Sequence, residues 1–260
     1  MTVGVVTGAG SGMGRACVDR LLGTVDHLVA VDLRAPDLDG TIGVACDVSD
    51  PAAVAELAAR VVELGPFRSL VHAAGLSPTM ADPRRIVDVN LLGTLRLLDA
   101  FEPLVVAGSV AVCFSSSAGY IPLEWLGPDL IELVSDPRAP GVLDRAAELL
   151  TDPGFAYAWS KKGVQLEAAK AAVRWGPLGG RVVSLSPGNI DTPMGRLELE
   201  HQPFMRDQLE HHPMHRLGTG EEIAAVVVFL VSDDASFVSG IDVLVDGGGA
   251  AEQANRDDAG

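Results

Sequence analysis

Tyr157 and Lys161 stand four residues apart in YAWSKK, within a run that has helical spacing. On a helix, positions i and i+4 share one face and their side chains meet. A phenol beside an ammonium can move a proton, because the positive charge favours the phenolate of a group that ordinarily titrates near ~10. The same pair is also an ordinary amphipathic helix end, with a lysine stem lying over an aromatic ring. Lys162 is turned ~100° around the helix and does not share that face. Upstream, SSSAG offers the hydroxyls of Ser115, Ser116 and Ser117, and VNLLGT carries Asn90.

A second group of residues suits a dinucleotide. TGAGSGMG, residues 7–14, places Gly8, Gly12 and Gly14 between a strand-like run and a helical one. There the backbone turns tightly, and the free N–H groups of a helix start face the phosphates. Ser11 and Met13 belong to the same turn. No Lys-Ser/Thr follows, so this is not a P-loop. Asp32 ends the next strand, where a carboxylate accepts from both ribose hydroxyls and repels a 2′-phosphate. That favours NAD(H) over NADP(H), although Arg34 nearby could hold such a phosphate. Leu33 adjoins Asp32. Asp47 and Val48 after the third strand, and Ala74 and Gly75 after the fourth, are further candidates to line the cofactor.

These residues need a scaffold, and the hydrophobic pattern supplies one. Strand-like runs at residues 3–7, 27–32, 42–47, 69–75, 109–116, 181–187 and 241–248 alternate with helical patterns. The helical patterns cover residues 13–23, 51–65, 82–105, the YAWSKK region to about 175, and 220–233. Asp50 and Pro51 read as N-cap and first helical position. Alternating strands and helices predict an α/β fold, a doubly wound Rossmann-type parallel sheet of about seven strands. One domain, residues 1–260, accounts for the whole chain, with a polar and frayed tail expected after Gly249.

Composition limits the partners. The formal net charge is −16, which disfavours nucleic acid and anionic membrane surfaces. Cys17, Cys46 and Cys113 are scattered through apolar segments and read as reduced core thiols. No apolar run reaches the ~18 residues of a membrane span, and a strand begins at once, which leaves no room for a leader. A cytoplasmic protein is expected. His211, His212 and His215 form His-His-x-x-His, but no carboxylate or cysteine pattern supports a metal, and none is expected.

Taken in order, these motifs resemble the short-chain dehydrogenase/reductase family. The matches are TGAGSGMG, Asp32, HAAG at residues 72–75, Asn90, SSSAG, YAWSK, SPGNIDT at residues 186–192 and VDGGG. The resemblance implies hydride exchange between nicotinamide and a secondary alcohol or ketone, with Tyr157 as acid/base. It implies that Lys161 lowers the Tyr157 pKa and binds the ribose. It gives Ser116, at Ser-x-x-Gly, the substrate oxygen, with Ser115 and Ser117 as fallbacks. Asn90 would anchor a water, and Ile190 and Thr192 would meet the carboxamide. HAAG departs from the usual Asn-Asn-Ala-Gly of the family.

Tyr157 follows Ser116 by 41 positions, where most members have about a dozen. The extra segment, residues 120–155, carries two amphipathic patterns split by DPRAPG. Its apolar stripe must cover the core, a partner subunit or a substrate. This insert resembles the bacterial 3α-hydroxysteroid dehydrogenase/carbonyl reductase branch. That branch implies a homodimer through residues 222–230 and 241–245, although a tetramer remains open. Residues 194–217 read as a lid whose Met194, Leu197, Leu199, Phe204, Met205 and Met214 suit a bulky apolar alcohol/ketone, or simply pack down a long loop. Alternatives are reduction of a 3-oxoacyl thioester or small secondary alcohol, and a non-catalytic dinucleotide sensor.

Overall fold

The computed structural model describes residues 1–201 and 209–259. Phe204 and Met205 lie outside the described residues. The chain opens with β1 (Val3–Thr7), α1 (Gly12–Leu21), β2 (His27–Asp32) and β3 (Ile42–Ala45). Next come α2 (Pro51–Leu64), β4 (Phe67–His72), α3 (Pro83–Val87) and α4 (Gly93–Phe101). β5 (Val110–Phe114) is followed by α5 (Pro128–Ser135), α6 (Val142–Leu149) and the long α7 (Pro153–Trp175). β6 (Arg181–Pro187), the two-residue β7 (Ile190–Asp191), α8 (Pro193–His201) and the two-residue β8 (Gly218–Thr219) come next. α9 (Gly220–Val231), β9 (Asp242–Val245) and α10 (Gly249–Ala259) complete the described chain.

Seven strands form one parallel sheet in the order β3-β2-β1-β4-β5-β6-β9. The order reverses between β1 and β4, and the crevice outside those strand ends is where open α/β sheets bind ligands. The small β7–β8 pair was not signalled by any periodic run. One apolar layer joins the sheet to α2, α4 and α7, with Leu57, Leu97, Phe101, Val164 and Trp175 buried. The other joins it to α1 and α9 through Cys17, Leu21, Ile223 and Leu230. Both faces are therefore covered, as strands apolar on both sides require.

Local chemistry sets the element ends. Asp50 accepts from Ala52 N at 2.9 Å ahead of Pro51, and Asp152 accepts from Phe155 N at 2.7 Å to start α7. The 82–105 pattern is not one helix. α3 passes through a π turn, Asp88–Leu92, before α4 begins. The turn holds Asn90, and such widened turns concentrate at functional sites. The tail is not frayed as expected. It forms α10, whose first turn is held by Asp246, accepting from Gly248 N at 2.9 Å and Ala250 N at 2.7 Å.

The insert covers the protein's own core. Leu126, Leu133, Val134, Val142, Ala146 and Leu150 are buried against Ile86, Leu91, Leu95 and Trp159 of α3, the π turn, α4 and α7. Trp159 Nε1 donates to Leu130 O at 3.1 Å. Arg138 latches the insert, reaching Asp99 of α4 at 2.7 Å and the fully buried Glu167 of α7. Lys170 supports Glu167 at 2.7 Å. We expect Arg138→Ala to cost about 1–3 kcal/mol in urea unfolding, because a buried carboxylate loses one of two cations. Arg138→Ala combined with Glu167→Gln should recover part of that loss. Equal stability of all three proteins would show that the latch holds nothing.

Candidate active site

The turn after β1 is shaped by contact. A Cβ on Gly14 would lie 2.1 Å from the Gly8 carbonyl oxygen, so only glycine lets α1 start against that strand end. Ser11 is extended at φ −157° and precedes α1. Gly12 lies against Thr192, and Met13 packs half-buried into the layer beneath. Asp32 sits directly under this turn. Its carboxylate accepts from Gly10 N at 2.8 Å and from Leu33 N at 2.7 Å. The turn is thus a cradle of small residues and backbone donors over an acidic floor, a shape that fits a dinucleotide.

The rim of the crevice is less uniform. Asp47 accepts from Ser49 N at 2.9 Å, Ser49 Oγ at 2.6 Å and Arg85 Nη2 at 2.8 Å. Burial pushes the Asp47 carboxyl up, but Ser49 and Arg85 outweigh it and hold it below the usual carboxylate range. Val48 points into the core and is 5% exposed, so its side chain offers a cofactor little surface. Ala74 N approaches Thr7 Oγ1 at 3.3 Å, and Gly75 lies against Asn90 and Lys161. Arg34 is exposed beyond Asp32.

The chemical residues converge from four elements. Lys161 on α7 is 5% exposed, and its Nζ donates to Phe114 O at 2.9 Å, at the end of β5. The same Nζ lies 5.7 Å from the centre of the Tyr157 ring. Ser116 lies close enough to the Tyr157 hydroxyl to favour its phenolate, and its Oγ accepts from Ala118 N at 3.2 Å. Ser115 is employed elsewhere, donating to Lys161 O at 2.8 Å from a buried position. Ser117 lies inside the short 3-10 turn Ser117–Tyr120 that Ser116 caps. Gly119 of that turn touches the α7 backbone, where a Cβ would meet Lys161 C at 3.0 Å. A side chain there would drive the serines off the helix.

Asn90 does not point at an open space. Its amide donates to Leu76 O at 2.9 Å and accepts from Leu76 N at 2.8 Å, stapling the loop after β4. Its own carbonyl accepts from Thr94 Oγ1 at 2.6 Å. Thr192 is likewise committed, accepting from Gly195 N at 3.0 Å to start α8, and Ile190 pairs with Gly218 in the small sheet.

Electrostatics correct one expectation. Lys161 does not pull Tyr157 down in this arrangement. Burial pushes the phenol up, Ser116 offsets part of this, and Glu198 of α8 adds to it, leaving the group at about 12. The amine lies over the ring and donates to a carbonyl. Burial also lowers Lys161 to about 8, with Cys113 opposing. Glu198 and its partner Ser77 were not anticipated. Only the i, i+4 spacing of Met194 and Glu198 hinted at the former, and nothing signalled the latter.

Two histidines are structural. His72 is 1% exposed and its Nδ1 meets Thr7 Oγ1 at 2.7 Å, while Nε2 has no partner. His212 uses both ring nitrogens, one 2.6 Å from Asp246 O and the other accepting from Met214 N at 3.2 Å. A ring so engaged keeps no lone pair for a metal.

Known proteins resemble this chain along most of its length. Residues 2–128 match the family model described as short chain dehydrogenase, and residues 145–249 the one described as enoyl-(acyl carrier protein) reductase. A short-chain dehydrogenase/reductase of Alternaria brassicicola is 33% identical over 79% of this chain and 76% of its own. The 3-alpha-hydroxysteroid dehydrogenase/carbonyl reductase of Comamonas testosteroni is 27% identical over 95% of this chain and 96% of its own. The crystal structure of the 3-alpha-hydroxysteroid dehydrogenase of Pseudomonas sp. B-0831 complexed with NADH aligns with a TM-score of 0.84 at 25% identity. That alignment covers 98% of this chain and 99% of that one.

His72 gives the site a pH signature. Burial first, and the Lys161 charge second, depress it from 6.5 to about 3. Between those values the unfolded chain binds the extra proton, so stability falls as pH drops below about 6.5. At pH 4.5 this residue should cost about 2–3 kcal/mol relative to pH 7.5. His72→Asn should flatten that acid loss in denaturant unfolding at the two pH values. The same loss in the variant would show that His72 is not its source.

Proposed function

The chain belongs to the short-chain dehydrogenase/reductase family, and from that premise we propose an NAD(H)-dependent oxidoreductase. It interconverts a hydrophobic secondary alcohol and its ketone, with 3α-hydroxysteroids and related carbonyls as the substrate class. The carrying observation is the meeting of Ser116, Tyr157 and Lys161 at the crevice that Asp32 and the glycine turn open. The similarity to the two hydroxysteroid dehydrogenases, one of them bound to NADH, supports the substrate and the cofactor.

A bound nicotinamide dinucleotide supplies the hydride. The chain supplies the proton and the position. Tyr157, held at about 12, is a phenol at neutral pH and donates to a carbonyl oxygen as charge develops there. Ser116 donates to the same oxygen and fixes it within reach. Lys161, fixed through Phe114 O, keeps its amine over the Tyr157 ring at the floor of the site. Asn90 holds the loop after β4 so that Gly75 stays against Lys161.

Asp32 supports NAD(H). Both of its oxygens are turned to the backbone donors of the glycine turn and Leu33, so a ribose at that turn meets an acidic floor. A 2′-phosphate there faces like charge.

We expect NADH oxidation with a 3-ketosteroid in the wild type and at least a ~10³-fold lower kcat in Tyr157→Phe, with NADH binding retained. Turnover retained by Tyr157→Phe would remove the proton assignment. We expect Asp32→Ala to raise the KM for NADH about tenfold or more while that for NADPH stays level or falls. Equal changes for the two cofactors would refute the preference.

A further inference from the structure

Leu197 and Met214, expected to line a lid, are exposed, and Met194 and Leu199 are half-buried. The more constrained wall of the centre is the short turn Ser117–Tyr120 after β5. Ser116 opens it, its carbonyl accepting from Gly119 N at 2.9 Å and its Oγ from Ala118 N at 3.2 Å. Tyr120 closes it, and its hydroxyl donates to Asp242 Oδ2 at 2.7 Å, at the start of β9. The other oxygen, Oδ1, accepts from Ser184 Oγ at 2.5 Å and from Ser186 Oγ at 3.0 Å, both on β6. Both serines are fully buried. Ser186 Oγ in turn accepts at 3.2 Å from Nε2 of Gln165, one helical turn beyond Lys161 on α7. The strands place this carboxylate, since Asp242 stands opposite Ser184 in the parallel register. A half-buried carboxylate at the edge of the sheet thus collects three hydroxyls, two from the strand beside it and one from the turn that carries Ser116.

We propose that Tyr120, tethered by Asp242, is a positioning residue for Ser116. The inference rests on the alcohol/ketone reading above, in which Ser116 meets the substrate oxygen, and adds to it a restraint from the edge of the sheet. Ser115 anchors the chain ahead of Ser116, with its hydroxyl on Lys161 O at 2.8 Å and its N–H on Leu185 O at 2.8 Å. Behind Ser116, Gly119 lies against α7, where a Cβ would meet Gln165 Nε2 and Lys161 C at 3.0 Å. That contact stops the turn from moving into the helix, and it does not stop the turn from lifting away. The Tyr120 hydrogen bond supplies the second restraint. Tyr120 is 44% exposed, so packing alone does not fix it. A hydrogen bond to a carboxylate is stronger than one between neutral groups, and it sets direction as well as distance. Ser116 is therefore held between two ties, and a hydroxyl that must meet a reacting oxygen loses rate when the chain around it wanders.

The test follows NADH oxidation by the full chain with a 3-ketosteroid and with cyclohexanone, alongside NADH binding by fluorescence. The proteins are wild type, Tyr120→Phe, Ser116→Ala and the double variant. Tyr120→Phe removes one hydroxyl and keeps the ring. It should lower kcat about tenfold while the Kd for NADH stays within about twofold of wild type. Ser116→Ala should lower kcat at least ~10²-fold. Adding Tyr120→Phe to it should cost less than about twofold more, because a turn without its serine has nothing left to place. Asp242→Asn keeps a polar partner of the same shape and should fall between wild type and Tyr120→Phe; a value outside that interval would remove Asp242 from the assignment. Additive losses in the double variant, or NADH binding lost in step with turnover, would show that the bond supports the fold and not the serine. Tyr120→Phe as active as wild type would overturn this assignment alone. Full activity in Ser116→Ala would remove the serine's role and this assignment with it. No NADH oxidation by the wild type with either ketone would overturn the alcohol/ketone reading as well.

Discussion

The amine of Lys161 is almost out of water, and a buried ammonium persists only where fixed acceptors replace its hydration. Phe114 O is that acceptor, which ties α7 to the end of β5. Ser115 adds a second tie by donating to the carbonyl of the same lysine. Gly119 lets the following turn lie against the helix at that level, and Gly75 brings the loop after β4 up to the amine. Each of these elements is fixed relative to the others because one charge needs a place. Ser116 and Tyr157 inherit their positions from that arrangement. The parallel sheet supplies the geometry, since β4 and β5 are neighbours and their C-terminal ends release both loops on one side.

The parts legible in the sequence are those in which local chemistry and distant packing agree. Val3–Thr7, His27–Asp32 and the Asp50-Pro51 helix start could be read because alternation, turn residues and caps carry their own signal. The glycine turn could be read because a close backbone approach leaves no other residue type at Gly14. Tyr157 and Lys161 could be paired because four residues make one helical turn. The π turn at Asn90 was hidden, since one extra residue in a helical turn hardly disturbs an apolar pattern. β7 and β8 were hidden because two-residue strands have no period. The order of α10 was hidden because it depends on Asp246 capping a polar helix whose sequence alone suggests a tail.

The insert shows the difference between finding a segment and knowing its partner. The amphipathic stripes in residues 120–155 required a cover, and three covers were compatible with them. Trp159, Ile86, Leu91 and Leu95 decide it, for they are buried in one cluster with the insert's apolar residues. Glu167 explains why the cover is specific. A carboxylate with no exposure inside an apolar layer is tolerable only with Arg138 and Lys170 beside it, and Arg138 comes from the insert. Misplacing the insert would strand that charge, which penalises alternative packings more strongly than apolar contact alone would.

The same contrast separates the catalytic centre from the lid. Lys161 and Asn90 are each held by backbone atoms of other elements, so their geometry follows once the sheet forms. α8 is anchored at its start by Thr192 and packs half-buried through Met194, Glu198 and Leu199. A reaction type can therefore be shared among relatives 27–33% identical, because it depends on the over-determined part. Burial raises the phenol of Tyr157, the Glu198 charge adds to this, and Ser116 opposes it. The tyrosine is left protonated at neutral pH, the form from which a proton can be given.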